Sequence, residues 1–413
     1  MELFLTSINR ALFLLFFVLY FYQFFYLFAG LAKKEKPLPA ASRQYRYCVL
    51  IAARNEERVI ANLIHSIREQ TYPQALIDIC VVADNCTDAT ARIAREASAY
   101  VVERQNASLV GKGYALDYLL KNLPVTQAPD AYLVFDADNI LDPHYIEEMN
   151  KVYAAGYLAS TSYRNSCNYD TNWISAGYAQ WFLRESRFLN QVRMQLGTSC
   201  AISGTGFMVA ASIIEKNNGW IHHLLTEDVE FSVDCVLHGI TIGYCGRAIV
   251  YDEQPVTFRQ SWNQRLRWCK GFYQVLARYG GGLLHTILKQ RCFAAFDMLM
   301  AIAPAALISV STLLINTVCL VISLLAESPA LITLCADNLL GSLWGYYQVL
   351  FVLGAVTVVI EWKSIRTSAF KKILYSFTFP LFMFTYVPIA IAAFRKNVTW
   401  SPIAHTGYQI NHP

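Results

Sequence analysis

The sequence is poor in charge. Asp, Glu, Lys and Arg make up 15% of its 413 residues, whereas hydrophobic residues reach 55%. This balance is too apolar for an ordinary soluble chain. The apolar excess lies at the two ends, and the middle has the composition of a globular α/β domain. We therefore predict a membrane protein of more than one domain, with a lipid bilayer as one of its partners.

Two further absences limit the function. The net charge of +4 is too small to indicate a nucleic-acid partner. The eleven cysteines follow no zinc-like or paired spacing, and Cys80, Cys235 and Cys245 lie in apolar runs. We interpret them as reduced core residues of a domain that faces the cytosol, which argues against a disulfide framework.

The N-terminal end resembles a membrane anchor. Ala11–Leu31 carries no charge and is long enough to cross a bilayer as one helix. A cleaved signal peptide is the alternative, but the run is too long and no small-residue cleavage site follows it. Three lysines within residues 33–36 indicate the cytoplasmic side. We predict a transmembrane helix in residues 1–33 and a cytoplasmic domain in residues 34–280 of an inner-membrane protein.

The middle of the chain alternates short apolar runs with amphipathic segments. The runs predicted as strands are Tyr47–Ala53, Ile77–Ala83, Tyr100–Glu103 and the stretch from Tyr132. The segments predicted as helices are Val59–Gln70, Ala89–Ala97 and Gly111–Leu120. The alternation predicts a parallel sheet with helices on both faces, and ligands gather at the carboxyl ends of such strands.

Acidic residues follow two of these strands. Asp136 and Asp138 come after a buried run, and they point the same way if strand geometry persists past Phe135. Two close carboxylates repel, and a hard cation such as Mg²⁺ or Mn²⁺ relieves that repulsion. A solvated turn is the alternative. Asp84 ends the second strand, where it is either a ligand-binding residue or a helix N-cap.

Other candidates open helices or turns. Lys112 lies between two glycines that let backbone amides approach an anion, although it could be an ordinary loop lysine. Gly204 and Thr205 lie in a small-residue turn that either admits a substrate or is simply tight. Glu227 and Asp228 open a helix, where the helix dipole alone favours acids.

One helical face combines three unlike side chains. Within the predicted helix Thr257–Tyr279, Gln264, Arg267 and Trp268 share a face at positions i, i+3 and i+4. A guanidinium suits a diphosphate, and an indole ring suits the apolar face of a sugar. The alternative is an amphipathic helix whose arginine snorkels at a membrane surface.

The ordered motifs resemble those of the membrane-embedded, processive family 2 glycosyltransferases, which include cellulose, hyaluronan, chitin and poly-N-acetylglucosamine synthases. The motifs are Asp84, Asp136-Ala137-Asp138, Thr226-Glu227-Asp228 and Gln264-Arg265-Leu266-Arg267-Trp268. The resemblance covers roughly Tyr45 to Tyr279 and the membrane ends more loosely. It implies a GT-A fold, which is an α/β domain with a mostly parallel sheet that binds a nucleotide sugar.

The resemblance also implies roles by position. Asp84 would contact the uracil of a UDP-sugar, and Lys112 would touch the nucleotide. Asp136 would contact the ribose or the metal, and Asp138 would coordinate Mg²⁺ or Mn²⁺. Asp228 would be the general base. Many relatives have two acids at the first motif, and this chain keeps only the second of them.

The remaining roles concern the diphosphate and the acceptor. Gln264 and Arg267 would hold the diphosphate, and Trp268 would form part of the acceptor site. Gly204 and Thr205 align loosely with a motif at the acceptor terminus. With a carboxylate that takes the acceptor proton, a single displacement turns an α-linked donor into a β-linkage.

The C-terminal end, residues 281–413, is the second membrane block. We predict an interfacial helix at Leu283–Cys292, a short tail, and three spans. The spans are Phe293–Ala326, Leu339–Ile360 and Ile373–Phe394. The basic loop Glu361–Lys372 should be cytoplasmic, and the loop Glu327–Asn338, without Lys or Arg, should be outside.

The tail presents a conflict. Three spans put Arg395–Pro413 outside, yet Arg395 and Lys396 indicate the inside. Either one segment is re-entrant or interfacial, for which the last one with Pro380 and Pro388 is the candidate, or the charge rule does not hold here.

Together these features predict a metal-dependent transferase that elongates a β-linked polysaccharide from a UDP-sugar and exports it, with accessory envelope or secretion subunits as further partners. The alternative is transfer of one sugar to a lipid acceptor, because four apparent spans are few for a channel. An inactive scaffold subunit would lack the motif acids, which are present.

Overall fold

A single eight-stranded sheet forms the centre of the protein in a computed structural model that describes residues 2–32, 37–124, 127–302, 304–395, 398 and 407. Its strands are β1 (Tyr47–Ala53), β2 (Ile77–Asp84), β3 (Tyr100–Arg104), β4 (Ala131–Asp136), β5 (Ile140–Leu141), β6 (Ala159–Ser166), β7 (Phe207–Ala210) and β8 (Ile242–Asp252). They lie in the order β3-β2-β1-β4-β7-β6-β8-β5.

The sheet is mostly parallel. Strands β1 to β4 pair in parallel with one another, as do β6 and β8, which makes four of the seven pairings. Strand β7 runs antiparallel to both β4 and β6, and β5 runs antiparallel to β8. The four strands predicted from the sequence, which are β1 to β4, are confirmed. The antiparallel direction of β5 and β7 was not predicted, because apolar runs do not reveal strand direction.

The helices of this domain cover both faces of the sheet. They are α2 (Ile60–Arg68), α3 (Thr90–Glu96), α4 (Lys112–Lys121), α5 (Tyr145–Ala154), α6 (Trp173–Arg184), α7 (Gln191–Leu196), α8 (Ala211–Lys216) and α9 (Glu227–Leu237). Strand β1 is buried on both sides: Leu50 joins the core that contains Leu116 of α4, and Val49 joins the core that contains Leu63 of α2. This explains why its sequence is continuously apolar.

Helix α10 (Phe258–Gln290) is longer than predicted. It includes the segment that we predicted as a separate interfacial helix, and it continues through residue 280, where we placed the end of the domain. Three consecutive glycines at 280–282 do not interrupt it. Leu283 is fully buried in a cluster with Val275 and Met298, and this packing outweighs the low helix propensity of glycine.

The remaining helices are apolar: α1 (Glu2–Ala32), α11 (Phe293–Ile302), α12 (Pro304–Leu325), α13 (Pro329–Ile360), α14 (Ala369–Phe384) and α15 (Tyr386–Arg395). Three segments of the described chain are long and apolar enough to cross a membrane, namely Leu5–Ala32, Pro329–Ile360 and Ala369–Phe394. The predicted span Phe293–Ala326 is divided between α11 and α12.

The prediction of a loop at Glu327–Asn338 is wrong. Helix α13 begins at Pro329, and a proline suits the first position of a helix because its missing N–H has no helical partner to lose. By contrast, residues 361–368 do form a connection, and it packs on the central domain. Tyr163 of β6 donates to Glu361 Oε2 at 2.6 Å, and Asn165 donates to the Ser364 carbonyl at 3.1 Å.

The last apolar segment breaks at Thr385, between α14 and α15. Helix α15 packs against α10, with Ile389 and Ala390 in one cluster with Leu266 and Cys269. Beyond residue 395, only Val398 and Gly407 of the predicted tail lie within the described residues.

Gly407 nevertheless locates part of that tail. Its N–H donates to Glu253 Oε2 at 3.2 Å, so this residue lies on the same side of the apolar helices as the central domain.

One buried carboxylate ties α1 and α11 to the domain. Asp297 of α11 is 1% exposed and accepts hydrogen bonds from Tyr22 at 2.9 Å and Tyr26 at 2.8 Å. Arg193 of α7 donates two further hydrogen bonds to this carboxylate, at 2.7 Å through Nε and at 2.9 Å through Nη2. Both carboxylate oxygens are thus satisfied by groups from two other helices.

We expect Asp297→Asn to destabilise the protein by about 3–5 kcal/mol, since it leaves the buried Arg193 charge without its counterion. The Tm of the full chain purified in detergent should fall by several degrees. Asp337→Asn, the same chemical change at an exposed position of α13, is the control. Equal Tm values for the two variants would contradict this role of Asp297.

Candidate active site

Predicted acids lie at the carboxyl edge of the sheet. Asp84 and Asp136 end β2 and β4, the two neighbours of β1. The ends of these strands are two strand spacings apart, about 10 Å. The topology therefore brings the first two motifs to one edge, as expected for ligand binding in α/β sheets.

A continuous hydrogen-bonded chain joins four predicted residues. Lys112 Nζ, at the start of α4, donates to Asp136 Oδ1 at 2.5 Å and to the Gly204 carbonyl at 2.7 Å. The Gly204 N–H donates to Asp228 Oδ2 at 2.5 Å. Gly204 has a φ of +79°, and a Cβ there would lie 3.6 Å from Arg164 Nη1. The Cβ would make only an ordinary contact there, so it is the positive φ that favours glycine.

Three cations surround Asp136. Burial alone would raise the pKa of this carboxyl, but Lys112, Arg164 and Arg267 together hold it below the usual value. The aspartate is therefore ionised, and the guanidinium of Arg267 on α10 is close enough to act on it. This interaction brings the motif helix α10 to the edge that carries Asp136.

The two acids at the start of α9 behave differently. Both are buried, and burial raises the pKa of each, with the neighbouring Asp228 charge adding to the shift of Glu227 to about 8. The Val229 and Gly204 N–H groups oppose the shift of Asp228. A carboxylate with a raised pKa is a stronger general base than an exposed one.

Asp138 reaches the site by a turn rather than by strand alternation. Strand β4 ends at Asp136, and residues 137–138 form a turn, so the condition for the two carboxylates to align along a strand is not met. Asp138 and Asp136 both lie close enough to Glu56 to raise its pKa. Burial and these charges bring that pKa to about 9. The sequence analysis did not identify Glu56 as a site residue, although its position just after β1, at the carboxyl edge of the sheet, indicates one.

Two further charged residues were also missed. Arg164 of β6 donates through Nε to Asp252 at 2.7 Å and through Nη1 to the Ser203 carbonyl at 2.8 Å. Its guanidinium lies 3.6 Å from the centre of the Phe182 ring. The ion pair of Arg164 and Asp252 thus supports the turn that contains Gly204. Nothing in the local pattern of β6 or β8 indicates this long-range pairing.

The Ser203 side chain is held from the other side. It donates to Glu185 Oε1 at 2.6 Å, and burial raises the pKa of Glu185. Glu185 begins a π-helical segment, Glu185–Asn190, between α6 and α7. Such segments are rare and frequently occur at functional sites.

Asp84 and Thr205 have partners within the protein. Asp84 forms a buried ion pair with Arg104, with 2.5 Å between Oδ1 and Nη1. The Thr205 hydroxyl accepts from the Asp136 N–H at 2.9 Å and donates to Asn139. Both residues therefore support the site walls, and their contacts with a nucleotide or an acceptor stay predictions.

The amide and indole of the last motif lie among buried groups. Trp268 contacts the rings of Tyr178 and Phe182, with centroid distances of 5.7 and 6.2 Å. Gln264 Oε1 is buried and has no hydrogen-bond partner among the described residues. The Arg164 guanidinium stacks on the Phe182 ring, which Trp268 also contacts. Phe182 therefore connects the motif helix to the Gly204 turn.

Residues 45–271, more than half of the chain, match the family model described as glycosyltransferase like family 2. The chain belongs to this family. Its sheet is the GT-A-like sheet that the motifs predicted.

Sequence relatives include two kinds of family 2 enzymes. The chain is 28% identical over 233 residues to β-monoglucosyldiacylglycerol synthase of Synechocystis sp., covering 55% of this chain and 48% of that protein. It is 27% identical over 242 residues to poly-β-1,6-N-acetyl-D-glucosamine synthase of Staphylococcus epidermidis, covering 55% of each. The chain thus matches about half the length of these curated relatives.

A solved structure supports the fold. A mannosyltransferase from Pyrobaculum calidifontis, in complex with GDP-Man and Mn²⁺, has a TM-score of 0.55 and 16% sequence identity. The match covers 94% of this chain and 97% of that chain, and so it includes the apolar helices as well as the family 2 domain.

Carboxylate oxygens of the family 2 domain are suitable ligands for a divalent cation. The described residues contain no group of three or more His, Cys, Asp or Glu side chains that could hold a metal by themselves. Mg²⁺ and similar ions, however, often bind through one or two carboxylates together with substrate phosphates. Asp138 fits this role because it is a hard oxygen ligand in a crowded acidic region, where it raises the pKa of Glu56.

Arg265 attaches the motif helix to the apolar helices. It is fully buried, and its Nη1 donates to the Phe382 carbonyl at 3.1 Å and to Thr385 Oγ1 at 2.6 Å. Its guanidinium also lies 4.4 Å from the Phe382 ring centre and 4.8 Å from that of Tyr386. It therefore binds the end of α14 at the break before α15.

We expect Arg265→Met to loosen this attachment, because Met keeps most of the volume but cannot donate to the Phe382 carbonyl. Amide hydrogen exchange should accelerate at the α14–α15 break. Sugar transfer should fall about tenfold or more, since small displacements of catalytic groups have large effects on rate. Lys289→Met, at an exposed position of the same helix, is the control. Unchanged exchange in Arg265→Met would refute the attachment.

Proposed function

We propose that this protein is a membrane-bound, inverting glycosyltransferase that moves a sugar from a UDP-sugar to a growing β-linked polysaccharide. The observation that carries the proposal is the chain Asp136–Lys112–Gly204–Asp228, with Arg267 acting on Asp136. It combines a buried carboxylate that can take a proton with cations that can hold a diphosphate.

In the proposed reaction, Asp228 takes the proton of the acceptor hydroxyl as that oxygen attacks the anomeric carbon. The bond to the diphosphate breaks in the same displacement, which inverts the configuration and needs no covalent intermediate. Lys112 and Arg267 stabilise the negative charge that develops on the leaving diphosphate. A Mg²⁺ or Mn²⁺ ion held by Asp138, with Asp136 nearby, would supply further positive charge there.

The other motif residues complete the proposed substrate site. Gln264 has a buried acceptor without a partner in the described chain, which suits a donor group on the nucleotide sugar. Trp268 offers an indole for the acceptor sugar. Asp84 would contact the base, and the Gly204–Thr205 turn would contact the acceptor terminus.

We place the catalytic domain on the cytoplasmic side of the membrane. Positive charges accumulate on that side of membrane proteins. The basic segment that follows α13 packs on the domain, since Lys371 Nζ at the start of α14 donates to the Asp170 carbonyl at 2.9 Å. The lysines at 33–36 support the same orientation.

A lipid acceptor is the second candidate. Its support is the similarity to proteins named β-monoglucosyldiacylglycerol synthase, together with three candidate spans in the described chain, few for a channel that exports a polymer. In this case Asp228 would deprotonate a lipid hydroxyl by the same chemistry.

The reaction product distinguishes polysaccharide synthesis from transfer to a lipid acceptor. We expect the full chain, purified with Mg²⁺ and a phospholipid–diacylglycerol mixture, to release UDP from at least one of UDP-glucose, UDP-GlcNAc and UDP-glucuronate. EDTA should abolish this release. A ladder of chain lengths would support polysaccharide synthesis, whereas a single glycolipid would support the second candidate. Turnover of GDP-sugars alone would contradict the choice of UDP.

We expect Asp228→Asn to lower the transfer rate by about a hundredfold or more, because Asn cannot accept a proton although it can still accept the Gly204 hydrogen bond. UDP binding should change little. Asp234→Asn, near the end of the same helix and paired with His222 and His238, is the matched control. Turnover in Asp228→Asn equal to that of the control would exclude Asp228 as the base.

A further inference from the structure

A cavity lies away from the proposed active site. Its volume is about 310 Å³, and it is an open pocket bordered by β6, β8, the π-helical segment, α7 and the connection between α13 and α14. Tyr163 and Asn165 line it, whereas Arg164 between them contacts the Gly204 turn. Because side chains alternate along a strand, the cavity lies on the opposite side of β6 from the transfer site.

The cavity carries an excess of positive charge. Arg187, Lys363 and Arg366 line it, against a single carboxylate, that of Glu361. This carboxylate is already engaged, since its Oε2 accepts from Tyr163 at 2.6 Å and from Ser364 at 2.9 Å. Its Oε1 lies 3.8 Å from Arg187 Nε. Two cationic charges therefore remain in excess.

A buried donor in the wall also lacks an acceptor. Gln191 is only 4% exposed, and its Oε1 accepts from Arg187 Nη1 at 2.7 Å. Its Nε2 has no hydrogen-bond partner among the residues that the structure describes. Leaving a buried donor unsatisfied costs about 1–3 kcal/mol, so such a group indicates a ligand that accepts hydrogen bonds.

The cavity lies where two candidate membrane spans end. Glu361 directly follows the span Pro329–Ile360, and Arg366 precedes the span Ala369–Phe394 by three residues. Exposed Trp362 lies in the connection and exposed Phe370 lies just after it, and aromatic residues favour the membrane interface. A lipid headgroup could therefore enter while its acyl chains remain beside the apolar helices.

We propose that this cavity binds the phosphate headgroup of an anionic phospholipid. Basic pockets between membrane helices on the cytoplasmic side recognise such headgroups, and the volume lies at the lower end of the range for ligand pockets. Lys363 and Arg366 provide charge at the entrance, and Gln191 and Arg187 donate to the phosphate oxygens. A soluble phosphate compound shares this chemistry, but it would not need an entrance between two spans.

The test uses the full chain in detergent and native mass spectrometry to count retained lipids, with phosphatidylglycerol and phosphatidylcholine as the probes. Wild-type protein should retain one phosphatidylglycerol in preference to phosphatidylcholine. Lys363→Gln/Arg366→Gln should weaken that binding by roughly tenfold to thirtyfold, given about 1 kcal/mol for each basic side chain.

The control Lys216→Gln/Lys289→Gln removes the same charge at exposed positions outside the cavity and should retain the lipid. The charge-preserving variant Lys363→Arg/Arg366→Lys should also retain it, which separates loss of charge from loss of folding. Equal weakening in the cavity and control variants would overturn the proposal, since it would indicate general surface attraction. Displacement of the lipid by equimolar inorganic phosphate or glycerol 1-phosphate would overturn the lipid assignment in favour of a soluble ligand.

Discussion

The arrangement of the site depends on the Lys112 ammonium. It lies between the Asp136 carboxylate and the Gly204 carbonyl, and it joins the parallel half of the sheet to the turn before β7. Burial would lower the pKa of this lysine, but Asp136 and the acids of α9 raise it instead. A permanent positive charge therefore holds together two segments that are 92 residues apart. Without the Lys112 ammonium, the Asp136 carboxylate and the Gly204 carbonyl would lose the hydrogen-bond donor that they share.

The buried acids of this region fall into two groups by the direction of their pKa shifts. Asp136 has cations around it and a lowered pKa, whereas Glu56 and Glu227 are buried among other acids and have raised values. The region near Glu56 and Asp138 therefore concentrates carboxylates. Hard divalent cations prefer oxygen ligands, so such a region is consistent with the proposed metal–diphosphate site.

Local sequence patterns predicted those parts of the fold that depend on short segments of the chain. Strands β1 to β4 and the helices between them follow from apolar periodicity, and Lys112, Asp136 and Asp228 follow from residue types at strand ends and helix starts. The pairing of Arg164 with Asp252 connects residues 88 positions apart and has no local signal. The start of α13 was missed because a charge-poor segment suits a loop as well as a helix.

Helix α10 couples the two halves of the molecule. Arg267 acts on Asp136, while the adjacent Arg265 and Leu266 pack against α14 and α15. A helix is too stiff for one face to move without the other, so the position of Arg267 in the site depends on the apolar helices behind it. The central domain and its apolar helices therefore form one unit, in which α14 and α15 set the geometry of the motif that we propose holds the diphosphate.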